Sequence, residues 1–297
     1  MAAESASIEI ASGRARLARG GLVGWAVLIY VFLFSPIVLL ILLSFNKNRY
    51  GTFPITGWTL HWFTTIANSP DLQSAIKTSL RVALEVTLIS AVVGTSAAFT
   101  LVRSRLRFRT AFRIAFTLPI MIPGVLIGVS LLSFLRQGLG LQLSTTTVVI
   151  GQSVYTTPFV LLIVASRLEG FDRSLERAAS DLGANALRRF RHVILPLIGP
   201  AVFAGALFAF TLSLDEFVIT FFIIGAQITL PIYIYTQIKF GITPSINAVA
   251  TLLIVISLGI TALGLVIPRI LRTMIRRVRG RRAQQLQAVS PAASEPA

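Results

Sequence analysis

The sequence predicts an all-α membrane protein with six transmembrane helices and cytoplasmic N and C termini. Of its 297 residues, 55% are hydrophobic and only 13% are charged, whereas about 25% of the residues in a soluble globular domain are charged. Six segments approach the roughly 20 apolar residues that a helix needs to cross a bilayer. The 27 Lys and Arg residues gather in alternate connections, which is typical of cytoplasmic loops.

The six candidate spans are residues 22–45, 76–102, 114–135, 146–166, 197–224 and 246–267. The first has no charged residue. The second contains Arg81 and Glu85, which are four positions apart and can form an ion pair on a helix. Prolines inside the third and fourth spans predict kinks, whose freed backbone groups neighbouring helices satisfy.

The distribution of positive charge gives the orientation. Most Lys and Arg residues lie in the N-terminal tail, the second and fourth connections and the C-terminal tail. The positive-inside rule therefore places these four regions in the cytoplasm. Orientation accounts for the net charge of +16, so we do not expect nucleic-acid binding.

The predicted domains follow from this topology. Residues 1–20 are a cytoplasmic tail, residues 21–272 are the six-span domain, and residues 273–297 are a basic and then disordered cytoplasmic tail. The chain has no cysteine and two distant histidines, and the phosphate-binding-loop motif is absent from the sequence. We therefore expect no metal, no cofactor and no enzymatic activity in this chain.

The longest cytoplasmic connection, residues 167–196, carries a short amphipathic helix. One apolar stripe at helical spacing is formed by Leu175, Ala178, Ala179 and Leu182. Ser174 is the expected N-cap and Gly183 the expected C-terminal stop. A second helical stretch should run from about Ala186 and end before Pro196. Such a helix either lies in a groove of a partner or packs on its own membrane domain or the lipid interface.

The run ERAASDLGA, followed by VILP, resembles the EAA loop of binding-protein-dependent ABC importer permeases. The motif positions are matched by Ala178, Ala179, Gly183, Leu195 and Pro196, with Val193 in place of Ile. Arg177 stands where the motif has its first Glu, and Glu176 lies one residue earlier. Residues 58–103, 213–220 and 230–253 resemble the spermidine/putrescine branch of this family, in its second permease subunit.

The resemblance implies the type I ABC importer permease fold in the inner, cytoplasmic membrane. It implies three partners besides lipid: a dimeric ATP-hydrolysing subunit, a second homologous permease and an extracytoplasmic substrate-binding protein. The residues that would form the ATPase-coupling loop are Leu175, Glu176, Ala178, Ala179, Asp181, Gly183, Leu195 and Pro196. The implied function is import of polyamines, with ATP hydrolysed in the separate subunit.

The fifth span contains Asp215 and Glu216, and carboxylates at membrane depth face a cavity or a partner. Together with Ser213, they form the expected substrate path, because polyamines are multiply cationic at neutral pH. Alternatively, both carboxylates pair with arginines and hold a permease dimer together. Other functions left open are import of another amine, such as an opine or 4-aminobutyrate, and ion-coupled transport with Asp215 or Glu216 binding the ion.

Overall fold

The computed structural model describes residues 2–48, 54–103, 107–240, 244–259, 261–264 and 266. Nearly all of these residues are helical or lie in short connections, and one isolated antiparallel bridge joins Asn46 and Trp58. The helices are α1 (Ala2–Ser44), α2 (His61–Ala67), α3 (Pro70–Arg103), α4 (Arg109–Met121), α5 (Gly124–Ser133), α6 (Thr145–Glu169), α7 (Ser174–Asp181), α8 (Ala186–Arg189), α9 (Leu195–Asp215), α10 (Val218–Ile223), α11 (Leu230–Phe240) and α12 (Pro244–Gly264). Two π-helical turns, Phe134–Gly138 and Phe190–Ile194, follow α5 and α8.

The prediction of six spans is confirmed. Among the residues that the structure describes, five helices are long and apolar enough to cross a membrane, and a bent pair makes a sixth when it is counted as one broken span. This pair is Arg109–Met121 and Gly124–Gly138, which meet at 104°. The break falls at Ile122 and Pro123, because proline lacks the N–H that would continue the helix and disfavours helical geometry in the residue before it.

The chain divides into two compact units. One contains the described parts of Met1–Ser69 and Thr236–Leu253. Its helix α1 begins at Ala2, so residues 2–20 of the predicted cytoplasmic tail are helical, and their place in the cytoplasm stays a prediction. In the span within α1, Gly20–Ser44, an apolar stretch of 18 residues buries none of them within the chain, whereas Ser44 at the end of the span is buried. After α1, the Trp62 Nε1–H donates a hydrogen bond of 2.8 Å to the Asn46 carbonyl and closes a loop.

The other unit contains the described parts of Pro70–Tyr235 and Ile254–Ala297. Its centre is formed by α3, α6 and α9, which share an apolar cluster around Val160 and Leu161. Glycines allow these helices to approach closely. A Cβ atom at Gly94 on α3 would lie 2.8 Å from the Val160 Cβ, and one at Gly205 on α9 would lie 3.1 Å from the Val160 Cγ1. This packing holds the fourth and fifth spans in a defined register.

The fifth span differs from the prediction of one continuous segment over residues 197–224. Helix α9 ends at Asp215, Glu216 is extended, and a short α10 starts at Val218. The start of the fifth span also differs, because the helix continues through Pro196 rather than ending before it. The π-helical turn Phe190–Ile194 leads directly into α9, where proline occupies the first turn and needs no N–H partner. The predicted tail 273–297 lies outside the described residues.

Candidate functional site in the cytoplasmic loop and the fifth span

The start of α7 is held by Asp172. One carboxylate oxygen of Asp172 accepts a hydrogen bond of 2.8 Å from the Ser174 N–H, and the other accepts one of 2.7 Å from the Ser174 hydroxyl. The hydrogen bonds from the Ser174 hydroxyl and N–H hold the pKa of the Asp172 carboxyl below its ordinary value. The prediction of Ser174 as N-cap was therefore wrong: Ser174 is the first helical residue and donates to the acid before it.

The end of α7 confirms the prediction for Gly183. Its φ angle is +80°, in the left-handed region that favours glycine. The Gly183 N–H donates to the Ser180 carbonyl at 2.9 Å and the Ala184 N–H to the Ala179 carbonyl at 3.0 Å. This pattern is a Schellman motif, and it turns the chain sharply before α8. The Asn185 side chain then caps α8 by accepting a 2.8 Å hydrogen bond from the Arg188 N–H.

The two neighbouring charges on α7 have opposite surroundings. Glu176 forms an ion pair with Arg103 at the end of α3, and the two side chains are only 16% and 19% exposed, respectively. The Arg103 guanidinium also lies 5.0 Å from the centre of the Phe171 ring. Arg177, in contrast, is exposed. Of this pair, Glu176 therefore attaches α7 to the transmembrane bundle, and Arg177 faces outward.

Four apolar residues of the loop are exposed. Leu182 is 89% exposed, Leu187 72% and Leu175 47%, and Ala178 is exposed between them. Here these four residues are called the loop surface. Ala179 is half-buried, whereas Asp181, Gly183, Leu195 and Pro196 are exposed. Contiguous apolar patches on a polar surface mark interaction sites, and for this loop that role stays a prediction.

The last part of the loop, from Ala186 onward, forms one continuous helical segment with the fifth span. The segment Ala186–Asp215 is 30 residues long, which corresponds to about 45 Å at 1.5 Å per residue. Its first turns carry Leu187 of the loop surface, and its last residue is Asp215. A displacement of the loop would therefore reach Asp215 through a rod rather than through a flexible connection.

The break in the fifth span is built by Glu216. One oxygen of its carboxylate accepts a hydrogen bond of 2.8 Å from the Ile219 N–H. The other accepts one of 2.9 Å from the Thr220 N–H and one of 2.7 Å from the Thr220 hydroxyl. These are the N–H groups that a helix start leaves without intrahelical partners. Glu216 thus caps α10, which would otherwise begin in an apolar environment with unpaired donors.

A buried amide on the fourth span completes this arrangement. Gln152 of α6 is fully buried; its Nε2 donates to the Thr220 hydroxyl oxygen at 2.7 Å. The Ser213 hydroxyl donates to the Gln152 Oε1. Gln152 therefore ties α6 to both sides of the break. Here Gln152, Ser213, Glu216 and Thr220 are called the break network.

The sequence analysis included Ser213 and Glu216 but missed Gln152 and Thr220. The signal that was available is the amide itself, because a polar side chain in a membrane span needs a partner. The structure further extends the polar contacts through Thr156, whose hydroxyl donates to the Gln152 carbonyl at 2.9 Å and lies 2.6 Å from the Ser90 hydroxyl. These contacts join α3 to the same polar layer.

Asp215 is placed very differently from Glu216. It is the last residue of α9 and is exposed on the surface of the chain. Within the part of the chain that the structure describes, its carboxylate forms no hydrogen bond and no ion pair. Glu216 likewise has no arginine partner there, because its oxygens are used by N–H and hydroxyl groups. Among the described residues neither acid pairs with an arginine, and pairing with arginines across a permease dimer stays a prediction.

Comparisons with known proteins agree with this architecture. A family model described as "Binding-protein-dependent transport system inner membrane component" matches residues 90–280. The spermidine/putrescine transport system permease protein PotC of Escherichia coli K12 is 36% identical over 244 residues, which cover 82% of this chain and 90% of PotC. The putrescine transport system permease protein PotI of the same strain is 36% identical over 232 residues, covering 76% of this chain and 82% of PotI.

Two solved structures share the fold. One is a bacterial ABC transporter involved in the import of the acidic polysaccharide alginate, with a TM-score of 0.70 and 16% identity over 86% of this chain and 96% of the matched chain. The other is the MetNI methionine ABC transporter in an inward-facing conformation, with a TM-score of 0.56 and 19% identity over 69% of this chain and 98% of the matched one. At these identities the likeness concerns the fold alone.

Proposed function

The chain belongs to the family of binding-protein-dependent transport system inner membrane components, and on this basis we propose that it is the permease subunit that passes putrescine or spermidine into the cytoplasm. As a member of this family it is a multi-pass component of the inner membrane and a subunit of an ABC importer. This membership favours ATP-driven import over the ion-coupled alternative. What is proposed is the substrate and the roles of individual residues.

The observation that carries the substrate proposal is the unpaired carboxylate of Asp215 at the break in the fifth span. A charge at membrane depth is costly unless it meets a counter-charge or water. Polyamines are cationic at neutral pH, because their amines titrate near 10, and supply such a counter-charge during transit. The substrates in the names of the relatives PotC and PotI belong to this chemical class.

The energy for transport comes, in this proposal, from a separate ATP-hydrolysing subunit that docks on the loop surface. The exposed leucines Leu175, Leu182 and Leu187 provide apolar contact area, and Arg177 adds an exposed positive charge on the same loop. The ion pair between Glu176 and Arg103 attaches the docked helix to α3. A second permease and an extracytoplasmic binding protein complete the importer.

The mechanism follows from the continuous segment Ala186–Asp215. Closure of the ATPase dimer on ATP moves α7 and α8, and the segment transmits this displacement to Asp215. The bundle then switches between inward-facing and outward-facing states by rigid-body motion of helices. Asp215 accepts the cation in the outward-facing state and releases it after hydrolysis. Both termini and the loop lie on the cytoplasmic side in this scheme, as the positive-inside rule requires.

The test is uptake of labelled putrescine and spermidine by cells that lack other polyamine importers and express the chain with its partner subunits. Wild type should restore uptake, whereas Asp215→Asn should reduce it at least tenfold, which corresponds to about 1.4 kcal/mol of lost interaction. Asp71→Asn is the matched control, because Asp71 lies in the first turn of α3, outside the predicted second span.

The outcomes separate the parts of the proposal. If wild type restores uptake of an opine or of 4-aminobutyrate but of neither polyamine, the substrate class is wrong. If Asp215→Asn imports putrescine as wild type does, the carboxylate has no part in the path. If uptake persists when the ATPase subunit is deleted, the ion-coupled alternative replaces the ATP-driven one.

A further inference from the structure

Three aromatic rings lie together immediately after the break in the fifth span. Phe217 follows Glu216, Phe221 lies one turn later on α10, and Tyr235 comes from α11. The Phe217 ring centre is 5.5 Å from that of Phe221 and 4.9 Å from that of Tyr235. The rings of Phe221 and Tyr235 are 5.7 Å apart. Each ring therefore contacts the other two.

The three rings form an open corner rather than a closed core. The planes of Phe221 and Tyr235 meet at 77°, so these two rings form two nearly perpendicular walls. Phe221 is 48% exposed and Tyr235 is 40% exposed, which leaves ring surface accessible from outside the chain. Phe217 packs against the apolar cluster around Ile219 and Ile223 and anchors the corner.

The free carboxylate of Asp215 stands next to this corner. Two residues separated by one other have Cα atoms at most about 7.6 Å apart, so the Cα atom of Asp215 lies within that distance of the Cα atom of Phe217. The residue between them, Glu216, is extended and its side chain is fully used in capping α10. A carboxylate that has no partner among the described residues is thus adjacent in the chain to accessible aromatic surface.

We propose that Asp215, Phe217, Phe221 and Tyr235 together form a binding site for a primary ammonium group of the transported amine. This inference rests on the proposed function and specifies how the substrate is recognised. An ammonium over an aromatic face is attracted by the negative face of the ring, and the attraction grows when water is excluded. The carboxylate supplies the ionic contact, and the rings replace part of the lost hydration while also contacting the adjoining methylene groups.

The chemistry of the site predicts what it selects. Neutral rings hold a cation without fixing the direction of its N–H bonds, so one site accepts ammonium groups in several orientations during passage. It recognises a terminal ammonium on a methylene chain, which putrescine and spermidine share. We therefore expect it to discriminate charged amines from neutral alcohols of equal length, and not to discriminate putrescine from spermidine.

The experiment must separate attraction to the ring face from simple packing. Progressive fluorination of a phenylalanine withdraws charge from the ring face but keeps its shape and apolar character. Phe221 should be replaced by mono-, di- and trifluorophenylalanine in the complex of this chain with its partner subunits, reconstituted in nanodiscs. Binding of labelled putrescine is then measured without the binding protein.

The expected result is a stepwise rise of the dissociation constant along the series, reaching about threefold to tenfold for the trifluorinated ring. Phe159 is the matched control, because its ring lies 5.4 Å from that of Phe208 and belongs to a different aromatic pair. The same series at Phe159 should leave the dissociation constant unchanged. A second variant, Phe221→Leu, should weaken binding by a comparable factor.

Three results would overturn the inference. If fluorination of Phe221 leaves the dissociation constant of putrescine unchanged while Asp215→Asn abolishes binding, the rings take no part in the site and the proposed function stands. Equal affinity for putrescine and for 1,4-butanediol removes charge recognition. A wild-type complex that imports putrescine in cells but does not bind it at millimolar concentration removes the site itself. If no polyamine is imported by wild type at all, the proposed function has failed instead.

Discussion

Two pairs of neighbouring residues have similar arrangements: Glu176 and Arg177 in the loop of residues 167–196, and Asp215 and Glu216 in the fifth span. In each pair one carboxylate is held by the chain itself: Glu176 by Arg103 and Glu216 by the N–H groups of α10. The neighbour in each pair faces outward, and it is a cation, Arg177, in the loop and an anion, Asp215, in the span. The two regions also differ in their other residues, since the loop carries exposed leucines and aromatic rings follow Asp215 in the chain.

This difference separates two kinds of recognition. Leucines with a guanidinium suit a folded protein surface, where apolar area and a peripheral charge both contribute. A carboxylate with aromatic rings suits a small cation. The inward-facing acids also differ in what they hold, because Glu176 joins one helix to another through a single ion pair, whereas Glu216 belongs to a network of three helices. Removing each inward-facing acid or its partner should therefore have effects of different size.

The largest effect is expected for Glu216→Ala. The substitution leaves the Ile219 and Thr220 N–H groups and the Thr220 hydroxyl without their acceptor in an apolar environment. The loss should be about 2–4 kcal/mol of stability, with loss of uptake because the break no longer holds its shape. The measurement is the denaturation midpoint of the purified complex, together with putrescine uptake. Asp215→Ala is the matched control and should shift stability by less than about 0.5 kcal/mol, because it removes no hydrogen bond.

An equal loss of stability from the two substitutions would contradict the distinction between a capping and a free carboxylate. A loss of uptake in Asp215→Ala with unchanged stability would sharpen it, since that result separates a role in transport from a role in folding. Glu216→Ala and Asp215→Ala together therefore test the structural role of Glu216 and the transport role of Asp215.

The spans and the stop at Gly183 could be predicted from sequence because they depend on local pattern. A run of about 20 apolar residues has few other uses, and a glycine after an amphipathic turn is the residue that best adopts positive φ. Ser174 was assigned the wrong role for the opposite reason. Asp172 and Ser174 are both good capping residues. Only the backbone conformation shows that Ser174 is already helical and that Asp172 accepts its N–H.

The break network could not be predicted, because it depends on which helices are neighbours. Asp215 and Glu216 lie between two apolar stretches, and neither residue type marks the end of a helix by itself. Its partner Thr220 is local, but Gln152 is 61 residues before Ser213. Sequence showed that each polar residue needed a partner, and the tertiary structure identified the partners.

A smaller effect is expected for Arg103→Met in the loop attachment. The substitution leaves the mostly buried carboxylate of Glu176 without its counter-charge and should cost about 1–3 kcal/mol. Because Glu176 carries the loop surface on α7, uptake and substrate-stimulated ATP hydrolysis should fall together. Adding Glu176→Gln should recover part of the stability, since the unpaired charge is then removed.

The matched control is Arg81→Met, which breaks the other ion pair on α3. Arg81 and Glu85 are 70% and 43% exposed, and an exposed pair of this kind contributes less than about 1 kcal/mol. If both substitutions have the same effect on stability, the ion pair between Glu176 and Arg103 stabilises the fold no more than an exposed pair does. If Arg103→Met lowers stability but ATP hydrolysis stays fully coupled to uptake, the movement of α7 is not transmitted through its ion pair with α3.

The smallest effect is expected from the hydrogen bonds that start α7. The pKa of the Asp172 carboxyl is lowered by the Ser174 hydroxyl and N–H, so the unfolded chain binds the proton more readily than the folded one. This contribution to stability is therefore present above the ordinary value of 3.8 and is lost as the pH falls through the lowered folded value. Denaturation midpoints of wild type and Asp172→Asn should differ slightly near neutrality and converge in acid. Ser174→Ala removes the hydroxyl donor and should narrow the difference in denaturation midpoint that Asp172→Asn causes. If the midpoints of wild type and Asp172→Asn move further apart in acid, Asp172 does not stabilise α7 as a carboxylate.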